Sequence, residues 1–376
     1  MSDDFDFDFD FDFDFDFDFD FDFDNSSSTM VNLELSSFED IRLKCQDKRV
    51  CVFLGAGFSK AWDKNYPLSN QLFSISDEEA EENKDKYNFF SLFTSLNLKW
   101  AENSAEDEDK AKVFKSFKYM IDVYKRYPSL LPSHLDKHTV SLLENEIKSY
   151  IKNKFKRIVK SNELKLKDTG KLNKSKTGIV RFFNEISSFN GLDVITTNYD
   201  IVIDKVLNKI SPTRSILRGM PVMIDDVLQC PKAGGIGLYK LNGGFEVIAD
   251  GDIFKIDYES IKNEKKAPNI ILPSNEQDYS DKYFKNAFIK SSNQLRTADI
   301  LIFIGYSFPS EDFIIQFLLK SFLDTNNKNK ETIIISRDKE SAINCHKNAC
   351  NIFKELHDKS GLYYVDKGFV ELCETI

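Results

Sequence analysis

The stretch VCVFLGAGFSKAW, residues 50–62, carries the strongest indication of the fold. Its apolar first half predicts a buried β-strand, and its second half predicts a helix that begins directly after Gly55-Ala56-Gly57. A strand that ends in Gly-x-Gly and enters a helix brings backbone N–H groups close to an anion, and the helix N-terminus adds partial positive charge. The pattern therefore predicts either a pyrophosphate-binding turn or a turn required for close packing.

Two common phosphate-binding patterns do not fit this turn. The dinucleotide fingerprint G-x-G-x-x-G needs a third glycine where this chain has Lys60. A P-loop is excluded because no G-K-[ST] follows the glycines. Both interpretations of Gly55 and Gly57, nucleotide binding and packing, therefore stay open on this motif alone.

Further strands and helices alternate along the chain. The apolar segments that predict strands are LDVITTNYD (192–200), IGLYKLNGG (236–244), ADILIFIGYSF (298–308) and ETIIISRD (331–338). Helical segments separate them, which predicts an α/β fold with a Rossmann-like, doubly wound parallel sheet flanked by helices on both faces. The segment 245–257 alternates in hydrophobicity on both sides of Asp250-Gly251, which predicts a hairpin.

Two helical regions complete the prediction. Residues 33–48 have the pattern of a helix, with Ser36 and Ser37 as candidate N-caps. Residues from about 70 to 190 contain charged segments with apolar residues every three or four positions. They predict a large helical insert between the first strand and the second.

Composition limits the classes of partner. The 376 residues have a formal net charge of −10, but the first 30 residues hold 12 of the 61 acidic residues and none of the 51 basic ones. The remainder is close to neutral, at about +2, so charge gives no strong case for a nucleic-acid partner. No run of 18 apolar residues and no signal-like start occur, so we expect no membrane association and a cytoplasmic location.

One cluster in the sequence has the chemistry of metal ligands. Cys345, His346 and Cys350 lie close together in the sequence, whereas the other four cysteines are scattered. No second cluster accompanies them, so we expect ordinary thiols at these positions and no metal cofactor.

Residues 4–24 alternate strictly between Asp and Phe. In a sheet, every Phe would lie on one face, but stacked strands would bring the Asp side chains together. We therefore expect residues 1–30 to form a low-complexity, disordered tail and residues 31–376 to form the folded domain.

Deleting residues 1–30 should leave the melting temperature nearly unchanged, because a segment of this composition forms no packed core of its own. Thermal unfolding of the full-length and truncated chains measures the difference. A large drop on truncation would show instead that the Phe side chains pack against the folded domain.

The polar ends of the predicted strands should meet, because ligands of open α/β sheets bind beyond the carboxyl ends of the strands. Four motifs stand there: GAGFSKAW…PLSNQL, ITTNYD, YKLNGG and LIFIGYSFPSED. In this order and spacing, from about residue 46 to 340, they resemble the sirtuin-like domain family, in particular its bacterial branch without a zinc module. We predict that Gly55, Asn198, Asn242 and Gly305 converge on one cleft.

The resemblance implies a Rossmann-like fold that binds NAD. Classical sirtuins remove acyl groups from lysine, whereas the bacterial branch is associated with NAD hydrolysis in defence against phage. Matched by motif, the implied site residues are Gly55, Ala56, Gly57 and Phe58 for the pyrophosphate and nicotinamide ribose, Thr197, Asn198 and Asp200 for the nicotinamide side, and Gly305, Ser307 and Ser336 for the adenosine half. Asn198 would orient the ribose or the attacking water.

The chain departs from the family at one position. The family's strand before the hairpin usually ends Leu-His-Gly, and its His accepts a proton from a ribose hydroxyl; here the same place has Leu241-Asn242-Gly243. An Asn amide forms hydrogen bonds but does not take up a proton near neutral pH. Since glycosidic cleavage can proceed by positioning and electrostatic stabilisation, slow hydrolysis through Asn198 stays open, with Asp200 as an alternative base.

Three functions follow from the resemblance. The first is an NAD glycohydrolase of the antiphage type, which cleaves NAD to nicotinamide and ADP-ribose. The second is a catalytically impaired sensor or scaffold that binds NAD or ADP-ribose, because Asn242 replaces the His. The third is a protein-lysine deacylase, which is disfavoured because the chain lacks the zinc module. Homo-oligomers or a partner defence protein are further expectations from the family. His134 and His138 in the insert are expected to be a surface pair.

Overall fold

The computed structural model describes residues 33–376 except 134, 168–171, 189–190, 212–215, 231–234, 252, 264–265, 310 and 325–328. The predictions for residues 1–30 and for His134 therefore lie outside the described residues. The strands are β1 Glu34–Leu35, β2 Val50–Leu54, β3 Leu192–Thr196, β4 Ile216–Leu217, β5 Val222–Ile224, β6 Val227–Gln229, β7 Ile236–Lys240, β8 Val247–Asp250, β9 Ile253–Ile256, β10 Ile300–Ile304, β11 Glu331–Ile335 and β12 Leu362–Val365.

Eight of these strands form one sheet, in the order β1-β12-β11-β10-β2-β3-β7-β4, and every pairing in it is parallel. The six inner strands are β7, β3, β2, β10, β11 and β12. Numbered by their order in the chain, they read 3-2-1-4-5-6. This is the strand order of the doubly wound dinucleotide-binding fold. The predicted Rossmann-like parallel sheet is confirmed.

The order of the strands places a topological switch between β2 and β10. The chain leaves β2 toward β3 on one side, and returns later to β10 on the other side of β2. At such a point the two connections diverge and leave a crevice beyond the carboxyl ends of the strands. The turn after β2 is the glycine turn that opens the sequence motif.

A second, smaller sheet has the order β6-β5-β9-β8. β8 and β9 form the predicted hairpin, with Asp250 paired to Ile253 and Gly251 at a φ of +60° between them. The strands β5 and β6 were not predicted, because three residues each are too few to show an alternating pattern.

The helices lie mostly between the strands of the large sheet. They are α1 Phe38–Cys45, α2 Ala56–Trp62, α3 Ser69–Phe73, α4 Asp77–Asn83, α5 Asn88–Ser95, α6 Asp107–Arg126, α7 Lys137–Ile158, α8 Lys174–Ser187, α9 Val202–Ile210, α10 Lys282–Thr297, α11 Phe313–Lys320, α12 Lys339–Ile352, α13 Lys354–Asp358 and α14 Phe369–Glu374. None of the described helices combines the length and apolar composition needed to cross a lipid bilayer.

The predicted helical insert corresponds to α3–α8, between β2 and β3. The helix predicted over residues 33–48 is shorter, because β1 occupies Glu34–Leu35 before α1 begins. Ser37 is the N-cap of α1: its hydroxyl accepts a hydrogen bond from the Asp40 N–H at 3.2 Å, and the Asp40 carboxylate accepts one from the Ser37 N–H at 2.9 Å. This capping box satisfies two backbone donors and fixes where the helix begins.

The core is divided by the large sheet into two apolar layers. Successive side chains of a strand point to opposite faces, so Val50, Val52 and Leu54 of β2 join one buried cluster and Cys51 and Phe53 join the other. All five are at most 2 % exposed. A strand buried on both faces is the expected consequence of helices covering both sides of a parallel sheet.

Candidate functional site

The carboxyl ends of β10, β2, β3 and β7 lie side by side at one edge of the sheet, because these four strands are neighbours and run parallel. The four motifs follow these ends directly. The structure therefore brings Gly55, Asn198, Asn242 and Gly305 to the same edge, as the strand order requires.

The glycines of two motifs pack directly against each other. The Gly55 N–H donates to the Ile304 carbonyl at 3.1 Å, and the Gly57 N–H donates to the Gly305 carbonyl at 3.0 Å. A Cβ on Gly55 would lie 2.4 Å from the Gly305 oxygen, and a Cβ on Gly305 would lie 2.4 Å from the Phe58 nitrogen. Gly305 also has a φ of +65°, which favours glycine.

This contact supports the packing interpretation of the turn, and it limits what a phosphate could bind. The Gly57 N–H is used by Gly305, and the Phe58 N–H donates to the Gly55 carbonyl at 3.0 Å. The helix that starts at Ala56 therefore presents fewer of its first N–H groups to a ligand than a free N-terminus would. The Phe58 side chain is fully buried and packs against Phe183 and Phe369, with ring centroids 5.6 and 6.1 Å apart.

Asn198 connects the turn after β3 to the glycine turn. Its side-chain amide nitrogen donates to the Gly55 carbonyl at 2.9 Å and to the Ser59 hydroxyl at 3.1 Å. Its backbone N–H donates to the Thr196 hydroxyl at 3.1 Å, and that hydroxyl donates to the Leu54 carbonyl at 3.0 Å. Asn198 is 9 % exposed, so this network fixes its side chain at the switch point.

The neighbours of Asn198 differ in exposure. Thr197 is half-buried, whereas Asp200 is buried and accepts a hydrogen bond from the Val202 N–H at 2.9 Å. Burial raises the pKa of Asp200, and a hydrogen bond with Ser59 opposes this shift only in part. Asp200 therefore stabilises the start of α9, and its carboxylate is engaged within the protein.

Asn242 follows the end of β7 and is partly buried. Its side-chain oxygen accepts a hydrogen bond from the Tyr279 hydroxyl at 2.7 Å, and its backbone carbonyl accepts one from the Ile271 N–H at 3.0 Å. The preceding Leu241 N–H donates to the Thr196 carbonyl at 2.8 Å, which continues the β3–β7 pairing to the edge. Asn242 and the Asn198 turn are thus held by adjacent strands.

Sequence patterns did not point to Tyr279 or Asp312. The Tyr306 hydroxyl donates to the Asp312 carboxylate at 2.9 Å. Burial raises the pKa of both Tyr199 and Tyr279, and the Asp312 charge raises both pKa values further. Burial raises the pKa of Asp312 itself. The acid in the motif GYSFPSED was visible in the sequence, but its electrostatic effect on Tyr279 was not.

The two serines expected at the adenosine half lie at the neighbouring strand ends. Ser307 is exposed, and its carbonyl accepts a hydrogen bond from the Asn348 side chain at 3.1 Å. Ser336 follows β11 and is half-buried, and its carbonyl accepts a hydrogen bond from the Phe369 N–H at 2.9 Å. His138 is exposed on the first turn of α7, as expected of a surface residue.

The edge thus combines two amides with acids whose pKa values are raised. Asn198 and Asn242 can donate and accept hydrogen bonds, but neither exchanges a proton near neutral pH. Asp200 and Asp312 have pKa values raised by burial, which is a feature of functional sites as well as of structural networks. The arrangement can orient a polar ligand through its amide groups.

Residues 193–357 match the family model described as SIR2-like domain. This segment is less than half of the 376 residues. It includes β7, β10, β11 and all but the first residue of β3, but not the glycine turn after β2. The match supports a sirtuin-like relationship over that segment. No curated protein gives a significant sequence match to the chain.

Solved structures that resemble this chain are Sir2 proteins. One is a structure that addresses the mechanism and regulation of Sir2 enzymes. It is 13 % identical to this chain, the alignment covers 90 % of this chain and 94 % of that chain, and the TM-score is 0.39. Another is Sir2 with a p53 peptide and NAD+, with 12 % identity, coverage of 90 % and 95 %, and a TM-score of 0.39. A third is bound to a propionylated peptide, with 11 % identity, coverage of 90 % and 94 %, and a TM-score of 0.38.

Proposed function

We propose that this chain is a sirtuin-like, NAD-binding protein that acts as an NAD glycohydrolase in bacterial antiphage defence. The reaction cleaves NAD to nicotinamide and ADP-ribose. The proposal is supported by four motifs at neighbouring strand ends, by the doubly wound strand order and by the SIR2-like match over residues 193–357. A cytoplasmic location and an oligomer or partner defence protein belong to the same proposal.

The observation that carries the proposal is the contact between Asn198 and Gly55 at the switch point. Two motifs that are 143 residues apart in the sequence meet there through a hydrogen bond of 2.9 Å. Ligands of this fold bind in the crevice outside the strand ends at such a point. A buried amide fixed on both sides supplies a preorganised polar group that orients a ribose or a water molecule.

Catalysis would rest on positioning, because Asn242 supplies no proton acceptor. Asn198 orients the ribose or the attacking water, and Asn242 contacts a ribose hydroxyl through its amide. Preorganised dipoles can stabilise the positive charge that develops on the ribose as nicotinamide leaves. This geometry supports slow cleavage rather than rapid cleavage.

A second candidate function follows from Asn242. Its side-chain oxygen already accepts a hydrogen bond from Tyr279. By the motif resemblance, Asn242 stands where the family usually has its base. The chain would then bind NAD or ADP-ribose as a sensor or scaffold without turnover. Binding without cleavage by the wild-type protein is the result that separates this function from the hydrolase.

Replacing Asn198 with Ala should weaken the binding of NAD and ADP-ribose by roughly 10- to 100-fold. In the proposal Asn198 contacts the ribose, and a buried ligand group that loses its hydrogen-bond partner costs about 1–3 kcal/mol. The change also removes the bonds to Gly55 and Ser59 that hold this turn in place. Calorimetric titration of the purified full-length chain measures the affinities, and chromatography of released nicotinamide measures turnover.

Asn184→Ala is the matched control, because Asn184 is exposed on α8. It should bind both ligands as the wild type does. If the folded wild-type protein binds neither NAD nor ADP-ribose, both candidate functions are wrong. If Asn198→Ala binds as tightly as the wild type, the ligand does not use the switch point.

A further inference from the structure

Three potential metal ligands come together where α12 meets α13. The Cys350 sulfur lies 3.8 Å from His346 Nδ1 and 3.4 Å from His357 Nδ1, and the three ligand atoms all lie within 4.8 Å of one another. Around tetrahedral zinc, with Zn–S of about 2.3 Å and Zn–N of about 2.0–2.1 Å, ligand atoms are roughly 3.3–3.6 Å apart. The two distances to sulfur already have nearly this length.

Helix geometry explains why these three residues meet. His346 and Cys350 are four residues apart on α12 and therefore share one face of the helix. The helix ends at Ile352, and α13 then places His357 against the same face. Cys345, which the sequence grouped with His346 and Cys350, belongs to a different face: it is buried and has a hydrogen bond with Ser336.

The orientation of His346 is suited to metal binding. Its Nε2 lies 3.1 Å from the Leu362 carbonyl oxygen, which can only accept a hydrogen bond. Nε2 therefore carries the proton, and Nδ1 presents its lone pair toward Cys350. Metal-binding histidines commonly donate their second ring N–H to a backbone carbonyl in this way, which fixes both the tautomer and the ring orientation.

Burial varies across the cluster in a way that allows a cation to enter. His346 is 9 % exposed, Cys350 is partly buried and His357 is exposed. The inner ligand is thus fixed, and the outer ligand can move the short distance needed to complete the coordination.

We propose that His346, Cys350 and His357 form a zinc site. Two neutral imidazoles and one thiolate are a ligand set that suits Zn²⁺, and the Cys350 thiol proton passes to solvent when the metal binds. Three protein ligands leave the fourth position to water. This site lies apart from the edge that is proposed to bind NAD, which is formed by the carboxyl ends of the strands. Leu362 is the first residue of β12, so its contact holds His346 toward the opposite, amino-terminal edge of the parallel sheet.

A metal here would fasten α13 to α12. A helix of five residues has little stability of its own, and His357 is its connection to the cluster. Zn²⁺ should therefore raise the melting temperature of the chain, since a ligand that binds only the folded state stabilises it.

The test uses Co²⁺ as a spectroscopic probe for Zn²⁺, with purified, untagged, full-length protein stripped of metal by a chelator. We expect one Co²⁺ per chain, the visible spectrum of a tetrahedral complex, a thiolate-to-cobalt charge-transfer band, and displacement by Zn²⁺. Cys350→Ser should remove the charge-transfer band. His357→Gln should weaken Co²⁺ binding by at least ~10-fold, the lower limit seen when even an outer-shell partner is lost.

The matched controls are Cys230→Ser and His138→Gln, because both residues are exposed and lie outside the cluster. Both should keep the wild-type spectrum and affinity. The proposal is overturned if Cys350→Ser retains the charge-transfer band, or if His357→Gln binds Co²⁺ as tightly as the wild type. His357 is exposed, so its variant should fold even if Cys350→Ser does not, and circular dichroism checks the fold of each variant.

Discussion

Replacing Asn242 with His is expected to raise the rate of NAD cleavage by at least ~10²-fold, the lower end of the contribution of general-base catalysis. The expectation rests on the proposed NAD site. An Asn amide does not accept a proton near neutral pH, whereas a neutral imidazole does. Asn242 follows the end of β7, which pairs with β3, and Asn198 follows the end of β3, so an imidazole at position 242 would reach the same edge. Release of nicotinamide from NAD measures the gain.

Tyr279 decides how large the gain can be. Its hydroxyl donates to Asn242 in the wild type at 2.7 Å, and the same hydroxyl could occupy the lone pair of a new imidazole. Gln277 offers an alternative acceptor, with its side-chain oxygen 3.1 Å from the hydroxyl. Adding Tyr279→Phe to Asn242→His therefore tests whether the hydroxyl masks the base: a further increase in rate shows that it does.

Two variants control the interpretation. Asn242→Gln keeps an amide and adds no base, so it should show no gain in turnover. Asn198→Ala in the Asn242→His background should abolish the gain, because the base works only on a ribose that Asn198 has positioned. NAD affinity should survive Asn242→His itself, since the imidazole can still form a hydrogen bond with a ribose hydroxyl.

The opposite result would identify a different base. If the wild type already cleaves NAD rapidly and Asn242→Ala leaves the rate unchanged, the proton acceptor is elsewhere. Asp200 is a poor choice, because its carboxylate is buried against the Val202 N–H and Ser59. Asp312 accepts a hydrogen bond from Tyr306, and its charge contributes to the raised pKa of Tyr279. Loss of NAD cleavage in Asp312→Asn would make it the candidate base.

Long apolar strands were the most predictable part of the fold. Val50–Leu54, Ile300–Ile304 and Glu331–Ile335 all lie within the predicted segments, because a strand buried on both faces leaves a continuous apolar run. The terminal strand Leu362–Val365 was missed, since its four residues, LYYV, show no alternation of apolar and polar side chains. Glu34–Leu35 was assigned to a helix, although it pairs with that terminal strand far along the chain.

Contacts between distant segments could not be predicted from local pattern. The four polar strand ends were predicted to lie together because parallel strands share an edge, and they lie at one edge of the sheet. The hydrogen bond from Tyr279 to Asn242 joins a loop to a strand end, and no spacing rule connects them. The same holds for His357, which joins His346 and Cys350 only because the chain turns between two helices.

The second large effect is expected from Lys240, the last residue of β7. It contacts a buried group of charged residues that contains Asp204, Arg218 and Glu246, and all four side chains belong to residues that are at most 2 % exposed. Lys240 Nζ lies 2.7 Å from the Glu246 carboxylate and 3.1 Å from that of Asp204, and it donates to the Asp200 carbonyl at 2.6 Å.

The four charges form a balanced group. Arg218 pairs with the Asp204 carboxylate and lies 3.2 Å from that of Glu246. Two cations thus face two anions inside the protein, and the Tyr258 hydroxyl donates to Asp204 at 3.1 Å. Ions taken out of water are tolerated only when their partners remain in place, so the group depends on all of its members.

Lys240→Met should therefore lower the free energy of unfolding by about 3–5 kcal/mol, the cost of leaving a buried charge without its partner. Urea unfolding followed by circular dichroism measures the loss. The control is Arg42→Met, which removes the exposed Arg42–Glu39 pair and should have little effect on stability.

A double replacement tests whether charge imbalance, rather than lost packing, causes the effect. Lys240→Met with Glu246→Leu removes one cation and one anion and leaves the Arg218–Asp204 pair. Since exchanging a buried ion pair for apolar groups of similar volume is often nearly neutral, the double variant should be more stable than Lys240→Met alone. If it instead loses the sum of the two single effects, the charges act independently and the balanced-group explanation is wrong.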